Sequence, residues 1–323
     1  MINRYVALED KLLNELMKKK DYTDNKVTGA VLSGVAAMYK ATGDEKFLMA
    51  LKLMVDEAID KCTYDNKESL KNYACGNGLY EAFKATGDDR YRQAAKEIAV
   101  QFNNQPRYEE GFFKGSDDKG VKRLCRTYMY VPFYMIYETL DGGKERYNDI
   151  IAQVRSYRNN LFEISVAKLG SDEDALHVTA HFAAALIDAM ENMDQMLYEI
   201  YHEMLDYFRD TVKAVIDSGV DINRGTAADY LFGYAVLKGC RMKALITEKY
   251  ENDVLGLLDI IENKSGSGTE CGCDKAETAD VKDNSFENDS ATTLAYKALY
   301  YSEVIRNREY QDYGRGKGGV LWS

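Results

Sequence analysis

The sequence predicts an all-α protein of about twelve helices joined in hairpin pairs, and three observations carry that expectation. Only two prolines, Pro106 and Pro132, occur in 323 residues, and a helix interior tolerates proline least of all residues. One joint recurs. Tyr39-Lys40-Ala41-Thr42-Gly43-Asp44-Glu45-Lys46-Phe47 returns as Phe83-Lys84-Ala85-Thr86-Gly87-Asp88-Asp89-Arg90-Tyr91, and more loosely as the stretch from Tyr137 to Tyr147. No convincing run of alternating polar and apolar residues marks a strand.

In each full copy of the joint the glycine suits the left-handed turn that ends a helix. The aspartate after it suits the N-cap of the next. The aromatic three residues further on falls in the first turn, where it reaches back to the preceding helix. These are αα-hairpin joints. Apolar periodicity then sets helices near 2–20, 26–41, 45–62, 68–85, 89–103, 122–140, 145–158, 173–194, 196–218, 226–239, 244–263 and 289–306. Such pairs build either an α-solenoid or a closed ring of six inner and six outer helices. Small, apolar stretches at 27–38, 181–187 and 226–236 read as inner, and the charged segments 89–103 and 196–218 as outer. Three connections, 104–121, 159–172 and 264–288, exceed ordinary loop length and point to a binding end. No linker divides the chain, so residues 1–323 form a single domain. Gly76-Asn77-Gly78 follows no strand, so it is not a dinucleotide loop but a place for close helix packing.

Hydrophobic residues make up 46% of the chain, enough for a sizeable core, and 25 tyrosines suit pocket walls. The net charge of −11 argues against nucleic acid and anionic membranes as partners. No stretch reaches the length of a membrane span, and the N-terminus lacks the apolar run of a signal peptide. The six cysteines form no dense disulfide framework, so a cytoplasmic protein with reduced thiols is expected. The sequence does not specify an oligomeric state.

Few residues carry chemistry. His177 and His181 stand four apart, which on a helix gives one face able to grip a ligand or an ion. Alternatively they are polar residues satisfied locally at a helix start. Cys125 precedes Arg126, whose charge favours thiolate, at the junction of the loop Gly115–Gly120 with a buried helix. Cys271-Gly272-Cys273 lacks a second thiol pair at metal spacing. Asp117, Asp118, Asp172, Glu173 and Asp174 offer carboxyl groups on the long loops, where solvated surface charge is the commoner state.

The repeated joints, Thr127-Tyr128-Met129-Tyr130-Val131-Pro132-Phe133, the segment from Gly225 to Gly239, and Tyr310-Gln311-Asp312-Tyr313-Gly314-Arg315-Gly316 together resemble the unsaturated rhamnogalacturonyl and glucuronyl hydrolases, over nearly the whole chain. The resemblance implies a closed (α/α)6 barrel. It also implies hydration of the double bond of a 4,5-unsaturated uronic acid at the end of a pectin or glycosaminoglycan fragment, after which the sugar opens and is released. The pattern Trp-Leu-Asp-Gly-Leu-Tyr-Met falls on residues 123–129, so Cys125 stands where the family has its acid/base aspartate and Arg123 where it has an aromatic. The Trp-Arg-Trp run falls near Ala175, His177 and His181. A second aspartate falls near Asn72 and a histidine falls near Lys114. Met129 is retained. The expectation is a glycosidase-like protein with a rebuilt site: Cys125, His177 and His181 as the catalytic candidates, and Asn72, Lys114, Arg123, Arg126, Met129 and Asp229 around a small, anionic carbohydrate. No cofactor is expected. The alternatives are a barrel that binds a sugar or a protein partner without turnover, and a zinc-type site of Cys125, His177 and His181, with Cys75 as a further ligand.

Overall fold

The computed structural model describes residues 2–19, 25–61, 69–115, 125–194, 196–265 and 286–314. Each of the twelve expected segments is a helix. They are α1 (Ile2–Lys18), α2 (Asn25–Thr42), α3 (Glu45–Lys61), α4 (Ser69–Thr86), α5 (Asp89–Ala99), α6 (Arg126–Leu140) and α7 (Tyr147–Tyr157), followed by a short α8 (Glu163–Val166). Then come α9 (Glu173–Glu191), α10 (Tyr198–Asp217), α11 (Ala227–Arg241), α12 (Thr247–Ser265) and α13 (Ala291–Gly314). Among the described residues no strand forms; Arg107 and Phe113 make one antiparallel bridge. Part of the stretch 159–172, expected to be irregular, is helical. A π-turn at Arg158–Phe162 carries α7 into α8, because Leu161, Phe162 and Ser165 have core to bury.

The joints behave as their residues dictate. Gly43 and Gly87 take φ of 65° and 71°, where a side chain would strain the backbone. Thr42 and Thr86 hydroxyls bond back to the carbonyls of Met38 and Ala82. Asp44 and Asp88 accept from the amides of Lys46 and Arg90, each at 3.0 Å, and so start α3 and α5. Phe47 and Tyr91 are fully buried against the helices they follow. The third joint differs: Asp141 starts no helix but ends α6, accepts from Tyr80 Oη at 2.9 Å and pairs with Arg92 at 2.7 Å.

Helix packing settles the choice between solenoid and ring. α2 packs on α4, α4 on α6, α6 on α9, α9 on α11, α11 on α13, and α13 returns to α2. The six inner helices therefore close. α3, α5, α7, α10 and α12 lie outside their partners, and α1 seals the seam against α13 and α2. This is an (α/α)6 barrel. Close approach inside the ring needs small residues: a Cβ on Gly76 would lie 2.2 Å from the Phe133 ring of α6.

All inner helices run the same way, so the barrel has two different ends. The short hairpin joints lie at the C-terminal end of the inner ring. There Lys238 is buried between Asp188 and Glu191, at 2.6 Å from each, and Arg241 bridges Glu191 and Glu303. Lys40 pairs with Glu81 and Arg306 with Glu303. All of these but Arg241 line a cavity of about 60 Å³, room for a few waters. The long connections lie at the other end, the mouth. Part of one is well anchored: Phe112 and Phe113 are fully buried, and Arg107 holds Asp149 through two bonds of 2.9 Å.

Candidate active site at the barrel mouth

Cys125 is the N-cap of α6, and His177 and His181 share one face of the first half of α9, its neighbour in the ring. The thiol sulfur and one nitrogen from each imidazole all lie within 4.8 Å of one another. The group is graded in depth: Cys125 and His177 are half-buried, and His181 is 7% exposed.

The His181 ring is held at both nitrogens. Nδ1 lies 2.7 Å from the His177 carbonyl, which can only accept, so Nδ1 carries the proton. Nε2 then accepts from the Tyr296 hydroxyl of α13, at 3.1 Å. Burial, and secondarily His177 beside it, push the His181 imidazole down to about 3, so the ring is neutral at physiological pH. Burial, and then the nearby Cys125, push the Tyr296 phenol up. Tyr128 and His181 meet edge-on, with ring centroids 5.9 Å apart, and the Tyr128 hydroxyl is buried with no hydrogen-bond partner among the described residues. Tyr128 falls on the tyrosine of the family pattern over residues 123–129 but was not singled out as a site residue, and Tyr296 did not stand out at all. For Tyr296 the available signal was the abundance of tyrosine in the chain.

The other expected site residues are dispersed. Arg126 is half-buried and turns along α6, donating to Met129 Sδ at 3.3 Å. Asn72 is 2% exposed near the start of α4. Lys114 is exposed, its ammonium 5.9 Å from the centre of the Tyr108 ring. Asp229 is fully buried and serves its own helix: it closes a capping box with Thr226 and faces Arg224 at 3.6 Å. Asp172 likewise caps α9. Cys75, the further zinc ligand the sequence allowed, is buried in the α4 core and is not in the group that meets at Cys125. Arg123, Asp117, Asp118, Cys271 and Cys273 lie outside the described residues, as does the Glu173 side chain.

A closed double ring of helices, with long connections and chemically equipped side chains at one end, defines the class: an (α/α)6-barrel protein with a candidate active site at its mouth. The comparisons narrow it. The Glycosyl Hydrolase Family 88 profile matches residues 6–167, half of the chain, and the chain belongs to that family. No protein of curated function matches significantly. Among solved structures, a family 105 glycoside hydrolase from C. acetobutylicum is 19% identical, with a TM-score of 0.68 over 92% of this chain and 97% of that one. A family 88 glycosyl hydrolase from Bacteroides vulgatus is 14% identical, with a TM-score of 0.62 over 94% and 99%. A polysaccharide lyase is 13% identical, with a TM-score of 0.67 over 95% and 98%. At such identities the likeness is one of fold, and a hydrolase and a lyase share it. No described helix is long and apolar enough to cross a membrane.

Proposed function

We propose that the protein acts on an oligosaccharide ending in an unsaturated uronic acid, at the mouth of the barrel, through a site rebuilt around Cys125, His177 and His181. One observation carries the reading. Cys125 falls where the family resemblance puts an aspartate, and His177 and His181 fall near its Trp-Arg-Trp run. Cys125 is far in sequence from the two histidines, yet the reactive atoms of all three meet within 4.8 Å. An anionic sugar suits the place. The six inner helices turn their N-termini, the positive ends of their dipoles, toward the mouth. Arg126 adds a fixed charge beside Cys125.

In this reading the half-buried His177 and Cys125 meet the sugar. His181, locked by the His177 carbonyl and Tyr296, holds their arrangement. The test is incubation with unsaturated uronyl disaccharides cut from pectin or from glycosaminoglycan, followed by loss of the double-bond absorbance. Saturable loss is expected, reduced by at least about 100-fold in H177A and in C125A, as for groups that handle protons in the transition state. Binding without loss of absorbance would leave a sugar-binding barrel and no enzyme. Neither binding nor loss would end the proposal.

A further inference from the structure

We infer that Cys125, His177 and His181 form a binding site for one soft divalent cation, zinc foremost. The donors are of the right kind and number: one thiolate and two imidazoles, the set for which zinc is selected over magnesium or calcium. They are also placed for it. The three donor atoms lie within 4.8 Å of one another. Zinc bonds of about 2.0–2.3 Å set donors roughly 3.3–3.7 Å apart in a tetrahedron, so closure needs side-chain movement on the order of 1 Å. His177 and His181 stand one helical turn apart on α9, and Cys125 comes from the adjoining end of α6.

A second, independent observation concerns the outer shell. Imidazoles that bind metals hold their other nitrogen on a backbone carbonyl or carboxylate, which fixes the tautomer and aims the free lone pair. His181 is held in this way: Nδ1–H is tied to the His177 carbonyl at 2.7 Å, which leaves Nε2, now accepting from Tyr296, as the nitrogen that takes the ion when that hydrogen bond opens. The Tyr296 hydroxyl, 3.1 Å from Nε2, borders the fourth position. It either donates to a water there or enters as a phenolate. Binding takes Cys125 as thiolate, and its proton leaves to solvent. Three protein donors and one exchangeable position are the pattern of a catalytic ion, which brings a bound water to a pKa of about 7. Such a water would supply at Cys125 the acid–base work of the family's aspartate. That last step rests on the function proposed above; the cation site itself does not.

The experiment uses the full chain, stripped with a chelator and then given zinc or cobalt(II). The expected result is one equivalent of tightly held zinc per chain, and a cobalt form with the thiolate-to-metal charge-transfer band. C125S and H177A should bind zinc at least roughly 100-fold more weakly, more than the loss of an outer-shell partner costs. H202A and the double variant C271S/C273S should bind as the parent does. Absence of metal and of the charge-transfer band in the folded parent would overturn the site. So would loss of binding in C271S/C273S with retention in C125S. The wild-type cobalt spectrum needs no variant, and circular dichroism checks that each variant folds. Zinc bound without any affinity for the uronyl disaccharide would sink only the proposed function. Turnover unchanged in metal-free protein would sink only the catalytic part of this inference.

Discussion

Glu9 shows how far this interior bends ordinary chemistry. Its carboxyl is fully buried on α1, accepts from Ser302 Oγ of α13 at 3.0 Å, and leaves its second oxygen without a partner among the described residues. Burial raises it to about 8, against the smaller opposing pull of the Ser302 bond and of Lys46. The folded chain therefore holds this proton more tightly than the unfolded chain. Its contribution to stability is present at about pH 4 and is lost progressively up to pH 8. E9Q removes the titration. Its melting temperature relative to the parent should climb between pH 5 and pH 8.5, by up to a few kcal/mol in stability at about 1.4 per pH unit. A pH-independent difference would contradict this assignment. Gly76 is a second residue-scale test: in G76A the new Cβ meets the Phe133 ring, and overpacking should cost about 1–3 kcal/mol by urea denaturation. At this scale Cys125 was legible because a family motif runs through it. Tyr296 was not, because nothing in its local sequence separates a tyrosine facing a site from one facing core.

The hairpin joint is the best-read element. Its glycine, aspartate and aromatic each act over three or four residues, and local rules suffice for local structure. D88A should cost about 1 kcal/mol, the usual worth of an N-cap, and G87A a similar amount through its left-handed backbone, both by urea midpoint. D141A should behave differently, because Asp141 comes before the glycines of its joint rather than after them. It removes the partner of both Tyr80 and Arg92 rather than a cap, so its loss is expected to depend on Arg92 in a double-mutant cycle. The stretch 159–172 was misread for the opposite reason. Its helical turns exist because Leu161 and Phe162 find core, a tertiary fact that periodicity over a few residues does not carry. Asp229 taught the same lesson in reverse: a buried acid on an inner helix serves the start of its own helix.

At the scale of the molecule the decisive event is closure of α13 on α2, which gathers residues from six helices at each end. The sequence left solenoid and ring equally open by periodicity, and only the family resemblance chose between them. The charged base of the ring was invisible beforehand. Asp188, Glu191, Lys238, Arg241 and Glu303 look like ordinary solvated helix charges until closure buries them together. K238M leaves the half-buried Asp188 without its cation, while Glu191 keeps Arg241, and should cost about 3–5 kcal/mol. The mouth is built by the same closure, and there Cys125, His177, His181 and Tyr296 converge from α6, α9 and α13. The measurement that bears on this most directly is a crystal of the protein soaked with an unsaturated uronyl disaccharide. Sugar density in contact with His177 and Cys125 is the predicted result. Density at the charged base of the ring or on the outer helices, with the mouth unchanged, would contradict it.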